Sequence, residues 1–297
     1  MNRLDALVEG YLSYLADVGR KTPRTVIDVR CTLRRAQACL EAARPGPSLW
    51  KRPLEDFLWW LDAERSAGRT TSCMAKYLSH VRGLLEYAWR SGRAERNVLD
   101  GFALCDSGAR VEPRSLSLEE AEQLVRSCGS SSTAERRERL MILLLYGCGL
   151  RTGELCALDV GSINRERREL TVSKGKNDRP RTIPIPEGVY TELLAYLLDR
   201  GKRGALFRTA VRHARITAHD VCDAVSEAAK RAGLDGRVTP KALRHSFATH
   251  LMDCGVDLAV IASLMGHRSP HETGVYLHVL PGRKEAAVRT LAMERKR

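Results

Sequence analysis

Residues 239–279 read TPKALRHSFATHLMDCGVDLAVIASLMGHRSPHETGVYLHV, and their punctuation predicts three short helices in a row. Thr239 supplies a capping hydroxyl, and Pro240 follows at the first helical position, where a missing N–H costs nothing. Gly255 ends that helix. Asp257 caps the next, which carries Leu258, Ile261, Ala262 and Met265 on one face and stops at Gly266. Ser269-Pro270-His271-Glu272 is a capping box that opens the third, on which Tyr276 lies. Lys241 and Arg244 stand three apart and share a helix face. His267 follows a helix-ending glycine, where a side chain projects into a cleft. Taken singly, each has an ordinary reading beside the functional one: a solvated face, a cap, a packed phenol. Together, a phenol, an imidazole and two cations describe a nucleophile aimed at a phosphodiester. A tyrosine, with its ordinary pKa of about 10, needs help to lose its proton or to have its anion stabilised.

The words LRHSFATHL (243–251), LMGH (264–267) and the following Tyr276 resemble the signature of the tyrosine recombinases, the phage-integrase and Xer-type family. The spacing matches over some forty residues, about 239–279, which is far more specific than a lone motif.

Working outward, GCGLRTGEL (147–155) follows an apolar helix expected over 135–146. Gly147 and Gly149 read as a tight turn that aims Arg151 outward. The phrase resembles the family's first arginine box. The resemblance places Arg151 on the catalytic arginine, with Glu154 orienting its guanidinium. Residues 168–185, RELTVSKGKNDRPRTIPI, read as two strands around a polar turn. They resemble the family's β-hairpin, whose loop lysine enters the active site. Lys174 matches best, in the K-G step after the strand, and Lys176 is the alternative.

Further out, 187–199 and 218–232 are amphipathic helices, and Ser117-Leu118-Glu119-Glu120 is a capping box. Residues 101–115 lack periodicity and read as a linker. Before them, helical periodicity over 3–18, from Thr22-Pro23 to about 43, from about 54 to Gly68, and from Thr70 or Thr71 to about 88 predicts a four-helix unit. The expected organisation is therefore mainly α. It has an N-terminal four-helix core-binding domain (1–100), a linker (101–115), and a C-terminal mixed α/β catalytic domain of the tyrosine recombinase type (116–297), mostly helical with a small β-hairpin. The helix-prone basic tail 281–297 is expected to serve oligomerisation.

The chain holds 297 residues with 49 Lys and Arg against 36 Asp and Glu, a formal charge of +13. That balance favours a polyanionic partner, nucleic acid first. Arg20, Lys21, Arg24, Arg30, Arg34, Arg35, Arg65, Arg69, Lys76 and Arg82 are expected to form a phosphate-tracking surface. Nine scattered cysteines without a C-x-x-C pair suit a reduced cytoplasmic chain better than a disulfide or zinc scaffold. No signal peptide is read at the N-terminus, and the apolar run 140–146 is too short to span a bilayer.

Many nucleases neutralise phosphate with metals held by carboxylates, but no Asp/Glu/His cluster here has that spacing, so neither metal nor cofactor is expected. Two arginines can do it instead, since guanidinium groups fork onto phosphate oxygens and keep their charge. Arg151 and Arg244 are the expected clamp, with His267 adding a hydrogen bond and Lys174 protonating the 5′-oxygen. By resemblance, Tyr276 forms a 3′-phosphotyrosyl intermediate, and four protomers on double-stranded DNA exchange strands through a Holliday junction. A partner recombinase is also admitted. One position departs: the family reads His-x-x-Arg where this chain has Lys241-Ala-Leu-Arg244. A lysine accepts a proton only when neutral, which burial beside arginines would favour. Otherwise it serves as a third cation. Two alternatives stand beside the recombinase: a relaxing activity of the type IB topoisomerase kind, and a DNA-binding protein that keeps the fold without efficient catalysis.

Overall fold

Three of the four α-helix starts described in the first hundred residues are set by short polar side chains. Asp5 accepts from the Leu7 N–H, Thr22 from Thr25 and Thr70 from Cys73, each satisfying an orphan donor of a first turn. The computed structural model describes residues 5–104, 114–172, 180–201, 203–211 and 213–266. The chain divides into two compact units, Met1–Val111 and Glu112–Arg297. The first holds α1 (Ala6–Asp17), α2 (Pro23–Ala43), a single 3-10 turn (Leu49–Lys51), α3 (Leu54–Ser66) and α4 (Thr71–Arg90). Val8, Leu12, Leu33, Phe57, Trp60, Val81 and Leu84 close its core. Burying apolar surface at about 25 cal/mol per Å² is what holds four such helices together.

The basic residues of this unit divide into groups that the sequence did not separate. Arg30 pairs with Glu9 at 2.6 Å, Lys76 with Asp28 at 3.1 Å, and Arg24 with the same Asp28 at 3.3 Å. Arg35 and Arg69 both reach the buried Glu64, at 2.6 and 3.6 Å. Arg65 lies 3.7 Å from Asp62. The Arg82 guanidinium binds the carbonyls of Leu99 and Phe102 and pins the end of the unit. Arg20, Lys21 and Arg34 are exposed and make no ion pair among the described residues.

The second unit opens with α5 (Leu118–Arg126) and α6 (Thr133–Gly147), each started by a reciprocal capping box, Ser117 with Glu120 and Ser132 with Glu135. There follow α7 (Thr152–Ala157), β1 (Ile163–Asn164), β2 (Glu169–Val172), β3 (Arg181–Pro184), α8 (Glu187–Arg200), α9 (Ala218–Arg231), α10 (Pro240–Asp253) and α11 (Leu258–Met265). Helix α6 is the axis: it packs against α5, α7, α8, α9 and α10, and buries Leu140, Ile142, Leu144 and Leu145.

The strands form an antiparallel sheet in the order β1-β2-β3, with Leu170 opposite both Ile163 and Ile183, and Val172 opposite Arg181. The sequence predicted two strands. The third, β1, is two residues long, too short to show an alternating period. Along β3, Ile183 is buried and Arg181 partly so, while Thr182 and Pro184 face solvent. The period of two therefore puts an arginine on the buried face of the sheet.

Another expectation is corrected near the first arginine box. Helix α6 runs through Gly147, so only Gly149 makes the turn, at φ +59°. A Cβ at Gly149 would lie 2.4 Å from the Phe247 ring of α10, so the position requires glycine for its backbone angle and for its closeness to α10. No helix among the described residues is long and apolar enough to cross a membrane. The hairpin-loop lysines Lys174 and Lys176, the predicted helix carrying Tyr276, His267 and the tail 281–297 lie outside the described residues.

Candidate active site

The last turn of an α-helix leaves carbonyls without partners, and the helix dipole makes that end negative. At α11 the chain turns off on Gly266, left-handed at φ +65°. Three arginines from three different elements satisfy three successive carbonyls there. Arg181 Nε of β3 donates to Leu264 O at 2.7 Å, Arg244 Nη2 of α10 to Met265 O at 2.7 Å, and Arg151 Nη2 to Gly266 O at 3.2 Å. A second bond from Arg244 Nη1 to Gly149 O, at 2.6 Å, ties α10 to the turn before α7.

The same three guanidinium groups converge on one carboxylate. Glu154, 8% exposed, lies in the first turn of α7. Its Oε1 accepts from Arg181 Nη1 at 2.7 Å and Arg151 Nη1 at 3.0 Å. Its Oε2 accepts from Arg181 Nη2 at 2.9 Å and from the Arg151 backbone N–H at 2.8 Å, with Arg244 Nη1 at 3.7 Å. Burial alone would raise the Glu154 pKa. The Arg181 hydrogen bonds, the Arg151 N–H and the surrounding positive charge outweigh it and hold the carboxyl below its ordinary value. Three cations against one anion leave a local excess of two positive charges. Of the three side chains Arg151 is the most open, at 32% against 10% for Arg244 and 8% for Arg181. A preorganised positive site with one edge toward solvent suits a phosphate.

Helix α10 positions the rest. Its cap is Thr239, accepting from the Ala242 N–H at 3.1 Å. Ser246 Oγ donates to Ala242 O and accepts the Leu116 N–H at 2.7 Å. His250 Nε2 faces the Leu116 carbonyl at 2.8 Å, which can only accept, so a neutral ring carries its proton there and its Nδ1 accepts from the Tyr146 hydroxyl at 2.8 Å. These contacts tie the start of the unit to the helix that bears Arg244. Lys241 is the exposed residue of an otherwise buried first turn of α10, with no hydrogen bond or ion pair among the described residues. His245, one residue beyond Arg244, is buried at 7% exposure.

Of the sequence-predicted site residues, Arg151 and Arg244 are brought onto one carboxylate, and Lys241 sits one helical turn before Arg244 on the exposed side. Lys174, His267 and Tyr276 fall outside the described residues. The sequence reading missed Arg181. Its one sequence signal was parity, since it shares a strand face with Ile183. Among the described residues no three His, Cys, Asp or Glu side chains converge as metal ligands.

Residues 114–283 match the model of the phage integrase family. The chain belongs to the phage integrase family. Within it the chain is a Xer-like tyrosine recombinase. It is 31% identical over 295 residues to tyrosine recombinase XerD of Mycobacterium tuberculosis (strain H37Rv), covering 93% of this chain and 94% of that one. It is 38% identical over 186 residues to tyrosine recombinase XerA of Pyrococcus furiosus, covering 61% and 63%. The fold matches a solved structure of the Tn1549 transposon integrase in complex with transposon right end DNA, with a TM-score of 0.76 at 21% identity over 96% of this chain and 99% of that one. The integrase-family fold thus accounts for a mainly helical chain with one small antiparallel sheet.

Proposed function

We propose that this recombinase cuts and rejoins double-stranded DNA at a specific site, with Tyr276 as nucleophile and Arg151 and Arg244 as the phosphate clamp. The observation that carries the reading is the convergence of Arg151 and Arg244 on Glu154 and on the carbonyl end of α11, one residue before His267. Groups held by backbone carbonyls and a buried carboxylate need no rearrangement when negative charge builds on the phosphate. His267 adds a hydrogen bond to the same phosphate, and Lys174, or Lys176, protonates the leaving 5′-oxygen. The attack forms a bond from the Tyr276 oxygen to phosphorus and breaks the bond to the 5′-oxygen, which leaves as a hydroxyl. Reversal by a second 5′-hydroxyl reseals DNA and frees the tyrosine. Lys241, exposed at the head of α10, serves as an added cation beside the DNA.

Pairs of protomers acting in turn on two duplexes, four in all, exchange strands through a Holliday junction. The helical unit ahead of the linker grips the duplex with Arg20, Lys21 and Arg34, exposed cations that make no ion pair among the described residues. The curated relatives are recombinases, which favours this reading over relaxation alone or binding alone. The test is trapping on a nicked suicide substrate carrying a site that the protein binds. An SDS-resistant protein–DNA adduct that disappears in Tyr276→Phe is expected. An adduct that survives that substitution would refute the assignment.

A further inference from the structure

The mechanism above uses Arg151 and Arg244 and leaves Arg181 without a task, yet Arg181 is the most deeply buried guanidinium of the three. Each of its nitrogens is engaged. Nη1 and Nη2 fork onto both oxygens of Glu154, and Nε caps Leu264. With an 8% exposed side chain it does not present itself to a substrate. What it does is join three elements that are far apart in sequence: β3, the first turn of α7, and the end of α11.

We propose, resting on the recombinase reading, that Arg181 is a positioning residue for strand cleavage, which sets Glu154 and the α11 terminus so that Arg151 and Arg244 meet the phosphate together. Two observations carry this. The first is the bidentate pair. A carboxylate held by two parallel N–H···O bonds has one orientation, and Glu154 in turn fixes the Arg151 guanidinium and its backbone N–H. The second is the closeness of Arg181 to the turn that ends α11. A Cβ added at Gly266 would lie 2.7 Å from Arg181 Nη1 and 3.0 Å from its Cζ, so the chain reverses directly against this guanidinium. Without Arg181, Glu154 keeps its neighbours but loses the group that aims it, and Leu264 O loses its partner.

A merely structural arginine and a positioning arginine differ in what their loss changes. The experiment measures three quantities on the full chain: the folded fraction, the affinity for a nicked duplex selected by binding to the wild-type protein, and the rate of Tyr276-dependent adduct formation at saturating protein. In Arg181→Met, which retains length and loses the fork, adduct formation is expected to slow about 100-fold, the scale of a displacement near 1 Å in a catalytic group, at unchanged affinity and folded fraction. Adding Glu154→Gln to it is expected to slow the reaction no further than the worse single variant, because the two act as one unit. Should Arg181→Met be recovered unfolded, Arg181→Lys carries the test. It keeps the charge, cannot hold both carboxylate oxygens and Leu264 at once, and is expected to cost about tenfold in rate. Cleavage at the wild-type rate, a loss matching the loss of affinity or folded protein, or additive effects in the double variant would each overturn the assignment alone. Failure of the wild-type protein to form any Tyr276-dependent adduct would remove the functional reading and this assignment with it.

Discussion

Both units bury a carboxylate among arginines, and they do so for opposite ends. In the helical unit, Glu64 is 4% exposed and meets Arg35 and Arg69, whose side chains are 41% and 44% exposed. Among the described residues its Oε2 has no hydrogen bond, and Arg69 Nε lies 3.6 Å from it. In the integrase-family unit, Glu154 is satisfied on both oxygens, and two of its three arginines are nearly as buried as it is. In the first, water reaches both arginines; in the second, Arg181 and Arg244 are shut away from it and Arg151 keeps the open edge. Two buried carboxylates among arginines thus differ in how far their cations reach water.

The comparison breaks first on the carboxylates themselves. Glu154→Ala leaves buried guanidinium groups uncompensated and is expected to cost about 3–5 kcal/mol of stability, read by denaturant unfolding. Glu64→Ala frees arginines that water already reaches, and a smaller loss is expected. Equal losses would show that burial of the partners does not matter.

Cleavage separates the cations of α10. Arg244→Ala is expected to lower the adduct rate by about 100- to 1,000-fold, the scale of removing one preorganised donor. Lys241→Ala, exposed and without a partner among the described residues, should cost much less. A suicide-substrate time course that ranks them the other way would make Lys241 a principal catalytic group.

Glycines sharpen the contrast on a smaller scale. Gly149 and Gly68 both have positive φ, +59° and +79°. Gly68→Ala meets nothing within 4 Å and should cost only the left-handed strain, about 1–2 kcal/mol. Gly149→Ala adds the clash with Phe247 and should cost about 1–3 kcal/mol more. Thermal or denaturant midpoints of the two variants test this.

The smallest effect is in pH. The Glu154 carboxyl lies below its ordinary value in the folded chain, so it contributes stability above the unfolded carboxyl range, near pH 4.3, and loses it as pH falls through the lower folded value. The stability gap between wild type and Glu154→Gln should therefore be full at pH 7 and narrow below about pH 4. A gap that widened on acidification would contradict the assignment.

The capping side chains were legible in sequence, because a cap and its helix are neighbours: Asp257, Thr239 and Ser117 mark their starts correctly. The periods of α1, α4 and α9 were legible for the same reason. Arg151 and Arg244 were legible through the motifs around them. Arg181 was not, because its partners are 27 and 83 residues away and nothing local announces them. Parity along β3 was the available clue. The exposure of Lys241 was also hidden. Its neighbours Ala242, Leu243 and Arg244 are all buried, and only the rotation of α10 turns it outward. In the helical unit, charge showed the number of cations but not that Arg30, Arg35 and Lys76 are already paired.

The three carbonyls at the end of α11 act as a single fastener for Arg151, Arg181 and Arg244. If the last turn of that helix frays, all three guanidinium groups lose a partner in the same event. The orientation of the three is therefore lost together instead of one by one.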